Sequence, residues 1–158
     1  MDIRQAQPSD EDAMWEIFQR VVAAGDSYVF PPDSDRELFR KQWMSYGPLV
    51  AVDAGQLVGT YIIKANQIGL GDHIANGSYM VHPDHHGKGI GKRIGEHSLR
   101  LAKERGFRGM QFNIVVSTNV AAVALWQKLG FEIIGTTPRA FRHPQFGDVD
   151  THIMFKSL

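Results

Sequence analysis

In "VHPDHHGKGIGKRIGEH", Val81 to His97, glycine stands at positions 87, 89 and 91, with Lys88 and Lys92 among them, directly before an apolar helical pattern. A glycine-rich loop running into a helix bares backbone N–H groups at the positive end of the helix dipole, and the chemistry those groups serve is anion binding, with phosphate as the natural guest. Two phosphate loops fail on spacing. Arg93 follows Gly91-Lys92 where a P-loop needs Ser or Thr, and Lys92 or Ile94 stands where the dinucleotide fingerprint needs its third glycine. His82, His85 and His86 cluster beside the loop, but no fourth metal ligand accompanies them. Other polar groups that can do chemistry are sparse: Asn76 and Ser78 in "HIANGSYMV", Asn113 in "RGMQFNIVV", Asn119, and His73, an imidazole that could serve as a base but sits beside Asp72 at the start of its strand. With no cysteine in 158 residues, disulfides, thiolate metal sites and a cysteine nucleophile are excluded.

The elements that must hold these groups follow from periodicity. Pro8, Ser9 and Asp10 mark a helix start, and Met14, Ile17, Phe18, Val21 and Val22 recur at helical spacing until Gly25. Ser34 precedes a second helix through Leu38, Phe39, Trp43 and Met44, ended by "YGP", and the connection "GDSYVFPPDSD" is either an ordinary loop or one that faces substrate. Short strands are expected at 49–53 and 57–65, and another from His73 to His82. Ile90 to Arg105 is the strongest helix, with Ile90, Ile94, Ser98 and Leu101 on one face, a Glu96–Arg100 pair, and Gly106 as its stop. In the next strand Met110, Phe112, Ile114 and Val116 face one side, and Gln111, Asn113 and Val115 the other. Asn119 caps a short helix striped by Ala122, Leu125, Trp126 and Leu129 and ended by Gly130; two strands near 131–138 and 149–156 close the chain around the loop "RAFRHPQFG". Strand, helix, strand, helix in the middle predicts a parallel pair with a right-handed crossover inside a mixed sheet. No repeat or linker divides residues 1–158, so a single α/β (α+β) domain is expected.

Val81, His82 and Pro83, followed by Gly89 and Gly91, resemble the strand end and Arg/Gln-x-x-Gly-x-Gly/Ala loop of the GNAT superfamily of acyl-CoA N-acyltransferases, with His86 where Arg or Gln is usual. A second segment, "NVAAVALWQKLGF", is similar to that family's Asn-x-x-Ala-x-x-Leu-Tyr-x-Lys-x-Gly-Phe, matching at Asn119, Ala122, Leu125, Lys128, Gly130 and Phe131. The resemblance implies a mixed, mainly antiparallel sheet flanked by helices, whose central parallel strands splay to admit the pantetheine arm of acetyl-CoA. It implies that Met80 and Val81 bond the arm and that the Val81 N–H faces the thioester oxygen. His86, Gly87, Lys88, Gly89, Ile90, Gly91 and Lys92 would hold the pyrophosphate, with Asn119, Trp126 and Lys128 also on the cofactor side. Trp126 replaces the family's tyrosine and has no ionisable hydroxyl, so either core packing or contact with the thiol accounts for it. Many relatives carry Glu on the strand before the loop; this strand has none, which makes a water chain held by Asn76, Ser78 and Asn113 the expected proton relay. Asn113, in an apolar strand, must find a partner as a buried amide, and a substrate carboxylate or ammonium is one.

The function so implied is direct transfer of an acetyl group from acetyl-CoA to the amine of a small molecule. The pattern of Asn76, Asn113 and Asn119 with "FNIVVSTN" is similar to the proline-analogue acetyltransferases of this superfamily, which suggests an amino or imino acid acceptor. A non-catalytic acyl-CoA-binding module and a protein N-acetyltransferase are the alternatives. The 17 basic and 17 acidic residues cancel, so nucleic acid is a poor partner; no apolar run reaches the length of a membrane span, and the start lacks a secretory pattern, so a cytoplasmic protein is expected. Dimers are frequent among the relatives, which adds a homodimer to the expectations.

Overall fold

The computed structural model describes residues 1–158. Seven strands, β1 (Asp2–Gln5), β2 (Leu49–Asp53), β3 (Gln56–Ala65), β4 (Ile74–Val81), β5 (Gly109–Val116), β6 (Glu132–His143) and β7 (Gly147–Ser157), form one sheet in the order β1-β2-β3-β4-β5-β7-β6. All neighbours are antiparallel except β4 and β5. Four helices cover it: α1 (Glu11–Ala24), α2 (Arg36–Gln42), α3 (Ile90–Glu104) and α4 (Val120–Lys128).

Each sheet face has its own core, because side chains alternate across a strand. On one face Met14, Ile17, Phe18 and Val22 of α1 and Phe39 of α2 bury against Val50, Ile62 and Met80. On the other, Ile90, Ile94 and Ala102 of α3 and Trp126 of α4 bury against Tyr61, Ile63, Ala75 and Phe112. Helix ends follow local chemistry. Acidic Glu11 and Asp12 open α1, and Gly25 closes it in the left-handed conformation at φ 68°. Asp35, one residue beyond the expected Ser34, caps α2 by accepting from the Leu38 amide at 2.9 Å. Gly106 ends α3 at φ 88° as expected, but Glu96 pairs with Lys92 at 3.7 Å instead of Arg100.

Three further expectations are corrected. A strand at Asp2–Gln5, not foreseen, extends the sheet beyond β2. The closing strands are longer than the sequence pattern showed, so most of "RAFRHPQFG" is a β-hairpin and not a loop. In β5 the alternation breaks: three steps from Phe112 to Val115 face two on β7, a bulge that turns Val115 inward (7% exposed) and Ile114 outward (48%). No helix is long and apolar enough to cross a membrane.

Candidate active site

The parallel strands β4 and β5 pair at only two positions, Ile74–Gly109 and Ala75–Met110, and then diverge. The divergence opens a cleft of about 1190 Å³ walled by both strands, the loop after α1, the glycine loop, and the first turns of α3 and α4. Which polar groups it exposes can be worked out from the β3–β4 ladder. The His82 amide donates to the Val58 carbonyl at 2.9 Å and the Asn66 amide to the Ile74 carbonyl at 2.8 Å. With the register unbroken between them, Asn76, Ser78 and Met80 turn their N–H and C=O groups to β3, and Gly77, Tyr79 and Val81 turn theirs into the cleft.

Of these open groups, some are already matched. The Tyr28 hydroxyl donates to the Tyr79 carbonyl at 2.6 Å and accepts from the Tyr79 amide at 2.9 Å, which ties the loop after α1 to the open edge of β4. Burial pushes the Tyr28 phenol above its ordinary pKa, so it stays protonated and able to donate. A His86 ring nitrogen lies 3.2 Å from the Val81 carbonyl, fastening the glycine loop to the strand end. The Val81 N–H keeps no strand partner and points into the cleft. Gly77 is required by its neighbour, because a Cβ there would collide with the Tyr79 phenol, which folds back to bond Ser98 at 2.8 Å.

At the wide end, Gly87 and Gly89 adopt φ 77° and 74°, and open space surrounds both Cα atoms. Gly89 is the N-cap of α3 and supplies no capping side chain, whereas Asp35 and Asn119 cap α2 and α4. The first-turn amides of α3 are therefore left for an anion. Gly91 departs from the expected reading. Its φ is not positive, and a Cβ would come within 3.3 Å of Leu125, so with Gly95, whose Cβ would meet Leu129 at 2.7 Å, it lets α4 lie close on α3. Arg20 of α1 makes a two-point pair with Asp84 at 3.0 and 2.8 Å, which holds that carboxyl down to about 2 and braces the loop from outside.

Met80, Val81, His86, Gly87, Gly89, Ile90, Gly91, Lys92, Asn119 and Trp126 line the cleft, as do Asn76, Ser78 and Asn113, but the expected bond from Met80 to the arm is corrected, because its N–H and C=O are turned to β3 and it is 1% exposed. Lys88 and Lys128 are exposed and lie outside its wall, Lys88 turned to His85 at 3.4 Å. Asn119 accepts from the Ala122 amide at 3.3 Å, the helix cap expected of it. Trp126 is 8% exposed and packs on Phe112 and Tyr79 with ring centroids 4.6 and 4.7 Å away, as a core residue does. His73 is exposed and outside the cleft, and no group of three His, Asp or Glu side chains is placed to hold a metal.

Asn113 is corrected most. It is exposed, not buried, and its amide is engaged, donating to Asn66 at 2.8 Å while accepting from Gln111 at 3.0 Å. Asn76 donates through Nδ2 to the Gln111 carbonyl at 3.0 Å, which fixes the amide orientation and leaves its Oδ1 as an acceptor. Two lining residues carry no motif signal: Tyr28, within the connection that was open between loop and substrate contact, and Lys64, the one charged side chain in the apolar run of β3. The one carboxylate in the wall is Asp26. Thr118 also lines the cleft, and its Oγ1 is buried without a partner. An open helix end, a free strand amide and an orphaned hydroxyl along one cleft suit a long ligand with an anionic head and a polar arm.

Known proteins are similar to this chain in sequence and in fold. Residues 12–131 match the model of the acetyltransferase (GNAT) family. The solved structure of a GCN5-related N-acetyltransferase from Kribbella flavida superposes with a TM-score of 0.95 at 39% identity, covering 99% of this chain and 97% of that one. N-acetyltransferase aca1 of Schizosaccharomyces pombe is 38% identical over 98 residues, 61% of this chain, which spans 47% of that relative's length. L-amino acid N-acyltransferase MnaT of Escherichia coli is 27% identical over 145 residues, 88% of this chain and 84% of its own. Matched by the family model over most of its length and by a solved relative along nearly all of it, the chain belongs to the acetyltransferase (GNAT) family.

Proposed function

We propose that this protein is an acetyl-CoA-dependent N-acetyltransferase that acetylates the amine of a small molecule directly, with amino or imino acids as the acceptor class. The observation that carries the proposal is the cleft itself, which joins uncapped helix amides at one end to the free Val81 N–H between splayed strands. Bound acetyl-CoA would supply the acetyl group as a thioester. The glycine loop and first turn of α3 hold the pyrophosphate on backbone amides, with Lys92 beside them; Met80, Asn119 and Thr118 flank the arm. The Val81 N–H donates to the thioester oxygen as negative charge develops there. The amine nitrogen forms the new bond to the acyl carbon as the carbon–sulfur bond breaks. Its surplus proton passes to water along Asn76 and Ser78, and the thiolate regains a proton from solvent, since indole has none to give. Support for an amino-acid acceptor comes from MnaT, whose name assigns it that substrate class.

Thiol release from acetyl-CoA, measured over a panel of amino acids, imino acids, polyamines and peptides, tests this. Turnover with free amino or imino acids above their methyl esters is expected. Cofactor binding with no turnover on any amine would make the protein a binding module, and turnover confined to peptides would make it a protein acetyltransferase.

A further inference from the structure

The Lys and Arg side chains that line the cleft are already engaged: Arg20 pairs with Asp84 at 2.8 Å, Lys92 with Glu96 at 3.7 Å, and the Lys64 ammonium lies 4.5 Å from the centroid of the Tyr46 ring. A carboxylate on the acceptor needs another donor, and the wall holds one at the tip of the last hairpin. His143 ends β6 there, half-buried among exposed neighbours. The amides of Gln145 and Phe146 both donate to its Nδ1, at 3.1 and 3.2 Å. An Nδ1 that accepts puts the ring proton on Nε2. The Phe146 ring stacks on the imidazole with centroids 4.7 Å apart, so the turn itself holds one ring face and one ring nitrogen. Nε2 has no partner in the protein and is open to solvent, because Thr118 Oγ1 is the only buried side-chain oxygen or nitrogen left without one. The turn thereby presents a braced N–H donor on a residue of the cleft wall.

The hairpin tip meets the loop after α1. A Cβ on Gly25 would lie 3.8 Å from both Pro32 and Pro144, which brings the chain neighbours of Asp26 and His143 together. That loop is tied by Tyr28 to the open edge of β4, and Asp26, Ser27, Tyr28, Val29 and Phe30 line the same cleft as His143. The imidazole therefore stands on the acceptor side, near Asp26, the one carboxylate in the wall. Asp26 repels a simple anion, and a simple amine leaves the imidazole N–H unanswered; a molecule that carries an ammonium and a carboxylate meets both. We infer that the Nε2–H of His143 donates to the carboxylate of the acceptor and is the group that selects amino and imino acids over their esters.

This rests on the acetyltransferase reading for what the site is used for, and binding separates the two. Ligand-observed NMR titration of glycine, β-alanine, L-proline and L-leucine, each against its methyl ester and in the presence of CoA, compares ligands that differ in the carboxylate. At least one acid should bind about tenfold tighter than its ester, the worth of a hydrogen bond to a charged group. Two variants divide the work of the ring. In His143→Asn the amide oxygen can still accept from the turn, but the side chain ends short of Nε2; in His143→Gln an amide N–H reaches that far, and the acceptor for the turn is lost. His143→Asn should erase the preference for the acid and His143→Gln should keep most of it, while the midpoint of urea unfolding falls further in His143→Gln. A histidine that only braced the hairpin would reverse the order of the two in binding. In thiol release from acetyl-CoA, the ratio of kcat/KM for the acid over its ester should drop about tenfold in His143→Asn. Absence of a preference for any acid, a preference that survives His143→Asn, or a larger loss of it in His143→Gln overturns the inference, whether or not thiol is released. A His143-dependent preference in binding with no thiol release from any amine would sustain the carboxylate site and remove the acetyltransferase reading instead.

Discussion

At the wide end of the cleft the ligand-facing groups are backbone amides, those of Gly87 to Lys92, whereas at the narrow end they are side chains, Tyr28, Lys64, Asn76 and Asn113, gathered from a loop and three strands. The difference is one of how geometry is fixed. Backbone amides at an uncapped helix end are positioned by the helix, and a substitution reaches them only through the dihedral angles it forbids. Among the side chains at the narrow end, Gln111 donates to Asn113 and Asn113 to Asn66, so replacing one frees a neighbour, while Asn76 is held by the backbone carbonyl of Gln111. The first end suits a ligand part that does not vary, and the second can be retuned for a different acceptor without disturbing the first.

The sharpest way to break this contrast is at Gly89. Its φ of 74° is costly for any residue with a Cβ, and there is no atom within 4 Å for a new side chain to strike. Gly89→Val therefore acts through backbone strain of about 1–2 kcal/mol, which a domain of ordinary stability survives while the loop relaxes away from its anion-binding shape. Losing two charge-assisted amide bonds should weaken acetyl-CoA binding by about 100-fold in calorimetry, with the acceptor preference unchanged. An unchanged affinity would show that the loop does not carry the pyrophosphate.

The same contrast explains what could be read from sequence. Gly25, Gly106, Asn119 and the glycine loop announce themselves because caps and left-handed positions are local chemistry, settled within a few residues. The order of the central elements announced the parallel pair, but its splaying was implied only by the family resemblance. Tyr28 gave no comparable signal, since its bonds to both backbone groups of Tyr79 exist only once the loop after α1 is folded against β4. Asn113 misled for a related reason. Its neighbours Phe112 and Val115 are buried, but the bulge between them is set by pairing with β7, which no local pattern in "QFNIVV" records, and it turns Asn113 and Ile114 outward. Gly91 reads as part of the phosphate motif until α4 is seen lying on it and on Gly95.

A middle-sized effect is expected at Tyr28, where the narrow end meets the strand edge. Tyr28→Phe keeps the ring among Phe30 and Trp43, with centroids 5.9 and 6.4 Å away, and removes only the hydroxyl that serves both backbone groups of Tyr79. Leaving those groups unpaired should cost about 1–3 kcal/mol in urea unfolding. Because the tie orders the loop on the acceptor side, KM for the amine should rise while acetyl-CoA affinity stays within about twofold, an expectation that follows from separate construction of the two ends. A parallel loss of cofactor affinity would mean that the two ends are coupled through β4.

The smallest effect is expected at Trp126, on the floor between the ends, where the resemblance puts a tyrosine. The indole packs on Phe112, Tyr79 and Phe131 and lies over Gly95, whose Cβ would stand 3.2 Å from it, so every contact found for it is apolar packing. Trp126→Tyr removes part of that volume and should cost about 1–2 kcal/mol of stability, less than full truncation of a buried aromatic. The new phenol would give the departing thiolate a nearby proton. That gain matters only if recovery of the proton limits turnover, and in a cleft of about 1190 Å³ open to solvent, water can already deliver it. The expected kcat is therefore equal to or modestly above that of the native protein, within about tenfold, at unchanged KM for either substrate. A rise confined to high pH, where a solvent proton is scarce, would place proton recovery in the rate-limiting step. A fall beyond about 100-fold with native folding, some 2.7 kcal/mol of barrier, would instead give the indole a part in holding the reacting groups that its packing does not disclose.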